Sequence, residues 1–169
     1  MKTRTLKQTC SSALIVMAAL TVAFSFASAQ APERTMSDRT IPGAWRTMVT
    51  PVSCQTGDPL GPPFRSLLTF NKGGTMSEYG IGPGSNPALR SPGHGVWQHE
   101  DGRQNYPYAF TYYRYNSSGV FIGSQKVTST LKLGASGDEF TTHSAVEILD
   151  ANGNVIGTFC AIVAGRRFE

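Results

Sequence analysis

The chain has 169 residues, 40% of them apolar and 15% charged, with 15 Lys and Arg against 11 Asp and Glu and a formal net charge of +4. The excess sits at one end: Lys2, Arg4 and Lys7 precede the apolar run 13–26, and every acidic residue follows it. Beyond residue 29 the chain holds 140 residues with 12 basic and 11 acidic side chains, about +1 in net charge, which excludes the basic stripe of an electrostatic nucleic-acid binder and leaves one core, not two, burying roughly 68% of the unfolded surface.

Residues 1–29 have the parts of an export signal: a basic start, an apolar stretch and the small residues Ala27-Ser28-Ala29 in the A-x-A pattern, so cleavage is expected after Ala29. The apolar stretch falls short of the roughly 18 to 20 residues of a membrane helix, and no later segment is long enough to span as one. The mature chain is therefore expected to be soluble, and secreted or periplasmic. Residues 30–42 are polar and aperiodic and are expected to form a flexible lead-in, which leaves 43–169 as the folded domain.

Runs rich in Val, Ile, Thr, Tyr and Phe then alternate with Gly, Asn, Asp and Ser, the pattern of many short antiparallel strands. In chain order strands are expected over Trp45–Cys54, Phe64–Asn71, Thr75–Ile81, Gly95–His99, Tyr106–Tyr115, Val120–Leu133, Glu139–Leu149 and Val155–Arg166. Links such as Asn71-Lys72-Gly73-Gly74 and Asp150-Ala151-Asn152-Gly153 hold turn-forming residues. Apart from 82–94, a Gly- and Pro-rich loop with no amphipathic helix, no link reaches the dozen or more residues of a parallel crossover. The expected fold is all-β: an eight-stranded antiparallel up-and-down barrel, with a two-sheet sandwich as the alternative.

Two features favour closure. Trp45 opens the first strand and Arg166-Arg167 end the last, so antiparallel pairing across a seam brings indole and guanidinium to one end as a plug, where stacking contributes about 0.5 to 2 kcal/mol. Cys54 and Cys160 lie in the same two strands, and an exported protein can oxidise them to a disulfide; two free thiols are the alternative. Neither cysteine belongs to a C-x-x-C motif, and His94, His99 and His143 lack metal-ligand spacing. No metal and no cofactor is expected.

Gly43-Ala44-Trp45 at the head of the first strand, with a basic residue ending the last, resembles the lipocalin signature of the calycin group. The segments LLTFNKGGTMSEYG, SPGHGVWQ, FTYYRYNSSGVFIGSQKVTSTLKL and SAVEILDANGNVIGT resemble a family of exported bacterial proteins with calycin-like barrels, and the layout is similar to the allene oxide cyclase barrel. The resemblance spans nearly all of residues 43–168. It implies a barrel with a private interior and, in the cyclase case, one carboxylate assisting a substrate folded inside.

In an up-and-down barrel the long loops 55–63 and 82–94 share one rim, the expected mouth. Alternation in the sixth strand puts Phe121, Gly123, Gln125, Val127, Ser129, Leu131 and Leu133 on the inward face. The fifth strand carries aromatic rings on both faces, and its inward parity, like that of the Pro51-containing first strand, is left open by the sequence. Candidate ligand contacts are Glu78, Tyr79, His94, Phe110, Tyr112, Arg114, Leu131 and Val146. Glu78 stands in an otherwise uncharged strand, where burial would raise its pKa and suit it to general base or anchoring work; a solvated Glu is its ordinary reading. His94, between Gly93 and Gly95, ends the mouth loop, where it could reach over the opening; its ordinary reading is a surface histidine. Arg114 is a candidate for binding an anion or for pairing with Glu78 or Glu147.

No nucleophile elbow, phosphate loop or dinucleotide fingerprint is present. The leading expectation is a non-enzymatic barrel holding a small, largely apolar molecule. The alternatives are an isomerase or cyclase using Glu78, and an extracellular interaction module using the Tyr-rich strand, with homo-oligomer formation left open.

Overall fold

The computed structural model describes residues 40–168 apart from 83 and 101–103. The expected signal segment 1–29 and residues 30–39 of the lead-in lie outside the described residues.

Eight strands form: β1 (Gly43–Val52), β2 (Phe64–Phe70), β3 (Thr75–Gly80), β4 (Gly93–Trp97), β5 (Asn105–Tyr115), β6 (Phe121–Leu133), β7 (Glu139–Leu149) and β8 (Val155–Arg167). Each pairs antiparallel with its neighbours in sequence, and β1 pairs with β8, so the sheet closes into a barrel in the order β1 to β8. The only helical element among the described residues is a 3₁₀ turn, Pro87–Leu89, in the β3–β4 loop. Closure follows from the strand pattern: the inward rows are mostly apolar or small, with Glu78 on β3 and Gln125 on β6 as exceptions, and curling the sheet on itself is what hides those rows without leaving an edge unpaired.

The seam runs from Trp45 opposite Arg167 to Val52 opposite Cys160. A disulfide joins Cys54, just past the end of β1, to Cys160, with 5.0 Å between the Cα atoms. It closes 106 residues of chain, worth about 4.7 kcal/mol in the chain-entropy model.

The end of the barrel opposite the long loops is filled. Trp45, Phe70, Met76, Leu131, Leu133 and Phe140 are all at most 4% exposed there, with the Trp45 and Phe140 rings 5.1 Å apart. Arg167 caps this layer. Its guanidinium lies 4.3 Å from the Trp45 ring centre and donates to the Pro42, Thr40 and Gly137 carbonyls, while the Trp45 indole N–H donates to the Ile41 carbonyl at 2.9 Å. The two arginines do not share this role. Arg166 is exposed on the outer face opposite Arg46, as alternation requires of a residue adjacent to an inward Arg167.

The outward face of β6 carries Lys126 and Lys132, and that of β7 carries Glu147, ion-paired to Lys126 at 3.5 Å. No helix among the described residues is long and apolar enough to cross a membrane.

Candidate functional site

Above the Trp45 layer the interior is hollow. A cavity of about 210 Å³ opens toward the rim that carries the β1–β2 and β3–β4 loops. Its parity is regular: β1 contributes Thr47, Val49 and Pro51, β5 contributes Tyr108, Phe110 and Tyr112, and β8 contributes Phe159, Ala161 and Val163. This resolves the facing of both strands that the sequence left open, and β1 keeps unbroken register through Pro51.

One charged pair stands in this wall. Glu78 is 6% exposed and projects from the inward face of β3. Its carboxylate sits between two glycines: a Cβ on Gly93 would lie 2.8 Å from Oε2, and one on Gly80 would lie 3.0 Å from Oε1. Bare backbone on both sides makes room for a carboxylate where any larger residue would press on it. The Ser66 hydroxyl donates to Oε1 at 2.9 Å.

The cation comes from the mouth loop. Asn86 caps the 3₁₀ turn, its Oδ1 accepting from the Ala88 N–H at 2.9 Å, and Ser91 is tied to β5 through both its backbone N–H and its Oγ at Tyr113. Between these anchors Arg90 turns inward. Its Nη2 donates to Glu78 Oε2, Nη1 lies 3.5 Å from Oε1 and also donates to the Gly80 carbonyl, and Nε donates to the Ser91 carbonyl at 3.1 Å. The guanidinium carbon is 3.6 Å from the Tyr112 ring centre, a cation–π contact. Burial pushes the Glu78 carboxyl above its ordinary value of 4.5, and Arg90 and Ser66 draw it back in part. Burial also pushes the Tyr112 phenol up to about 12, opposed by the Arg90 charge.

A second polar group of residues lies lower. Ser129 Oγ and Thr142 Oγ1 are 2.6 Å apart, so one donates to the other, and the donor's partner is left to donate to its own neighbouring carbonyl, His143 O at 2.9 Å from Ser129 Oγ or Thr130 O at 2.8 Å from Thr142 Oγ1. The Tyr108 hydroxyl lies 3.4 Å from Ser144 Oγ, longer than an ordinary O–H···O bond. Thr47 is 4% exposed, and its Oγ1 is buried with no hydrogen-bond partner.

Of the residues singled out from sequence, Glu78, Phe110, Tyr112 and Val146 line the cavity. The others do not. Tyr79 is 38% exposed on the outer face, because a neighbour of the inward Glu78 must point out. His94 is exposed on β4 between Gly93 and Gly95 rather than over the mouth. Leu131 faces inward but belongs to the filled end. Arg114 is half-buried and bridges to Arg90 through its backbone, beyond the lining of the cavity; Glu78 pairs with Arg90 and Glu147 with Lys126. Phe121 is turned outward, 42% exposed, because the β5–β6 register shifts at Arg114/Tyr115 and Gly123 takes up a φ of +132°, the signature of a bulge. Its ring packs edge-on against Tyr113 at 5.6 Å on the outside of the barrel.

Among the described residues, no group of three or more His, Cys, Asp or Glu is placed to hold a metal ion. No protein-family model matches the chain, and no curated protein matches it in sequence. The closed eight-stranded antiparallel barrel is compatible with a calycin-like barrel.

Proposed function

We propose that the protein is an exported, calycin-like binding barrel that holds a small, largely apolar molecule above the Trp45 layer. The observation that carries this reading is the cavity itself: about 210 Å³, open at the long-loop rim, with mostly apolar walls and one buried ion pair. Concave, mainly apolar sites with a few fixed polar groups are what small-molecule binding uses. An apolar cavity of roughly 150 Å³ takes up benzene, so this one suits a single substituted ring, with any longer chain extending through the mouth. The Cys54–Cys160 disulfide supports a site of action outside the reducing cytoplasm. Native mass spectrometry of the oxidised mature chain with substituted phenols, monocyclic isoprenoids and short fatty acids tests the reading. One-to-one adducts are expected, and no adduct from any of these classes contradicts it.

One observation favours a second reading, an isomerase or cyclase of the allene oxide cyclase type. Glu78 is a buried carboxylate facing the cavity with its pKa raised by burial, the environment in which a carboxylate serves as acid or base. Its oxygens already accept from Arg90 and Ser66, which favours an anchoring role. Turnover of an adduct-forming compound, abolished by Glu78→Gln with the adduct retained, would move the balance to catalysis.

A further inference from the structure

The near-neutral balance of the chain conceals a local excess of positive charge on the outside of the seam. Arg166 stands directly opposite Arg46 across β8 and β1. Arg65 lies diagonally from Arg46, opposite Met48, the next outward residue of β1. Lys132 approaches the same area from β6, along the row Lys132, Thr141, Ala164, Met48. All four cations border one open depression of about 1190 Å³, and Glu139 is the one acidic residue on its border. Arg167 also borders it, but its guanidinium is committed to the Trp45 cap.

The fold leaves this charge unneutralised. Among the described residues, Arg46, Arg65, Lys132 and Arg166 enter no ion pair; Glu147 is held by Lys126 and Asp138 by Arg167. Arg46 makes an aromatic contact, its guanidinium 4.5 Å from the Phe168 ring centre. Like charges directly opposite each other in a sheet are destabilising, so setting Arg166 against Arg46 does nothing for the barrel. An arriving anion relieves the repulsion.

Apolar side chains share the patch. Met48 and Leu67 are exposed between the arginines, and Tyr79 continues the row Arg166, Arg46, Leu67 onto β3. This decides among anionic partners. A nucleic acid or an acidic polysaccharide would lay a polar surface on Met48 and Leu67, whereas phospholipid offers phosphates to the guanidinium groups and apolar matter just beneath them. A second copy fits poorly, because a two-fold contact through this patch sets arginine against arginine.

We propose that the outer face of the β8–β1–β2 seam docks on a membrane surface containing anionic phospholipid, with Arg46, Arg65, Lys132 and Arg166 on lipid phosphates and Met48 and Leu67 entering the headgroup layer. Arg46 and Arg166 neighbour Trp45 and Arg167 at the filled end, so docking leaves the long-loop mouth uncovered. The assignment is independent of what the cavity holds.

Flotation of the oxidised mature chain with vesicles of equal parts phosphatidylglycerol and phosphatidylcholine, and with pure phosphatidylcholine vesicles, tests it. Binding is expected to the mixed vesicles alone and to weaken as salt is added. Arg46→Gln, Arg65→Gln and Arg166→Gln are each expected to lower partitioning about fivefold, with melting temperatures near that of the wild type. Lys126→Gln, which removes the same charge away from the patch, is expected to change little. Met48→Ser/Leu67→Ser is expected to weaken vesicle binding while leaving binding to soluble heparin unaltered. Absence of binding to the mixed vesicles, or an equal loss in Lys126→Gln, overturns the proposal. Full vesicle binding by Met48→Ser/Leu67→Ser, with heparin bound as tightly as vesicles, overturns it in favour of a soluble polyanion.

Discussion

Arg90 and Glu78 meet inside the barrel although one belongs to a mouth loop and the other to β3, and the guanidinium spans both carboxylate oxygens while resting on the Tyr112 ring. The loop is thereby pinned to the wall it overhangs. The pair is 13% and 6% exposed, so its members depend on each other more than a surface pair would.

Removing one partner alone should therefore be severe. Arg90→Met is expected to destabilise the fold by about 3 kcal/mol, because it strands a buried carboxylate. The double variant Arg90→Met/Glu78→Leu should recover most of that loss. Urea denaturation of the wild type, both single variants and the double variant checks this, and strict additivity would show that the two side chains are not coupled.

Ionisation of Glu78 carries a pH dependence with a definite sign. Burial raises its value above 4.5, so the folded chain binds this proton more tightly than the unfolded one. The associated stability is whole below about pH 4.5 and is lost as pH rises through the raised value. Melting temperatures of wild type and Glu78→Gln across that range should show the wild type's relative stability falling as pH increases. A difference that stays constant or grows would contradict the assignment.

At the filled end, the two C-terminal arginines should separate cleanly. Arg167→Met removes the stacking on Trp45 and the donors to Thr40, Pro42 and Gly137, with an expected loss of about 2 kcal/mol. Arg166→Met, on the exposed face, should stay within about 0.5 kcal/mol of wild type. Chemical denaturation followed by tryptophan fluorescence reads both.

Reduction of the Cys54–Cys160 bond, or the double Ser variant, is expected to lower stability by about 3 kcal/mol. Hydrogen exchange should show the loss first at the mouth end of the β1–β8 seam, where the bond lies beside Val52 and Cys160.

Much of the barrel is legible in the sequence, for local reasons. Turn residues and β-rich runs mark all eight strands, and the one link of crossover length, 82–94, is Gly- and Pro-rich with no amphipathic helix, which favours the up-and-down order. Alternation in the sixth strand also places Gln125, Val127 and Ser129 on the inward face, where they stand. Applied strictly, it would have removed Tyr79, the neighbour of Glu78, and His94, the neighbour of two inward glycines. Depth is harder: Leu131 has the right face but the wrong height, which is set by register between strands rather than by any residue in its own. The Gly123 bulge that turns Phe121 outward has no periodic signature. Arg90 went unseen because loops have no repeat to read. The available signal was a lone arginine in a Pro- and Gly-rich loop at the rim nearest Glu78.

The central claim, that a small molecule lodges inside the barrel, is tested most directly by methyl-resolved NMR of the mature chain during titration with 4-ethylphenol. The account predicts shifts concentrated at Val49, Val127, Val146 and Val163 within the cavity, with the exposed Val96 and Val155 unmoved. Shifts confined to the exposed valines, with the four interior ones silent, would contradict it.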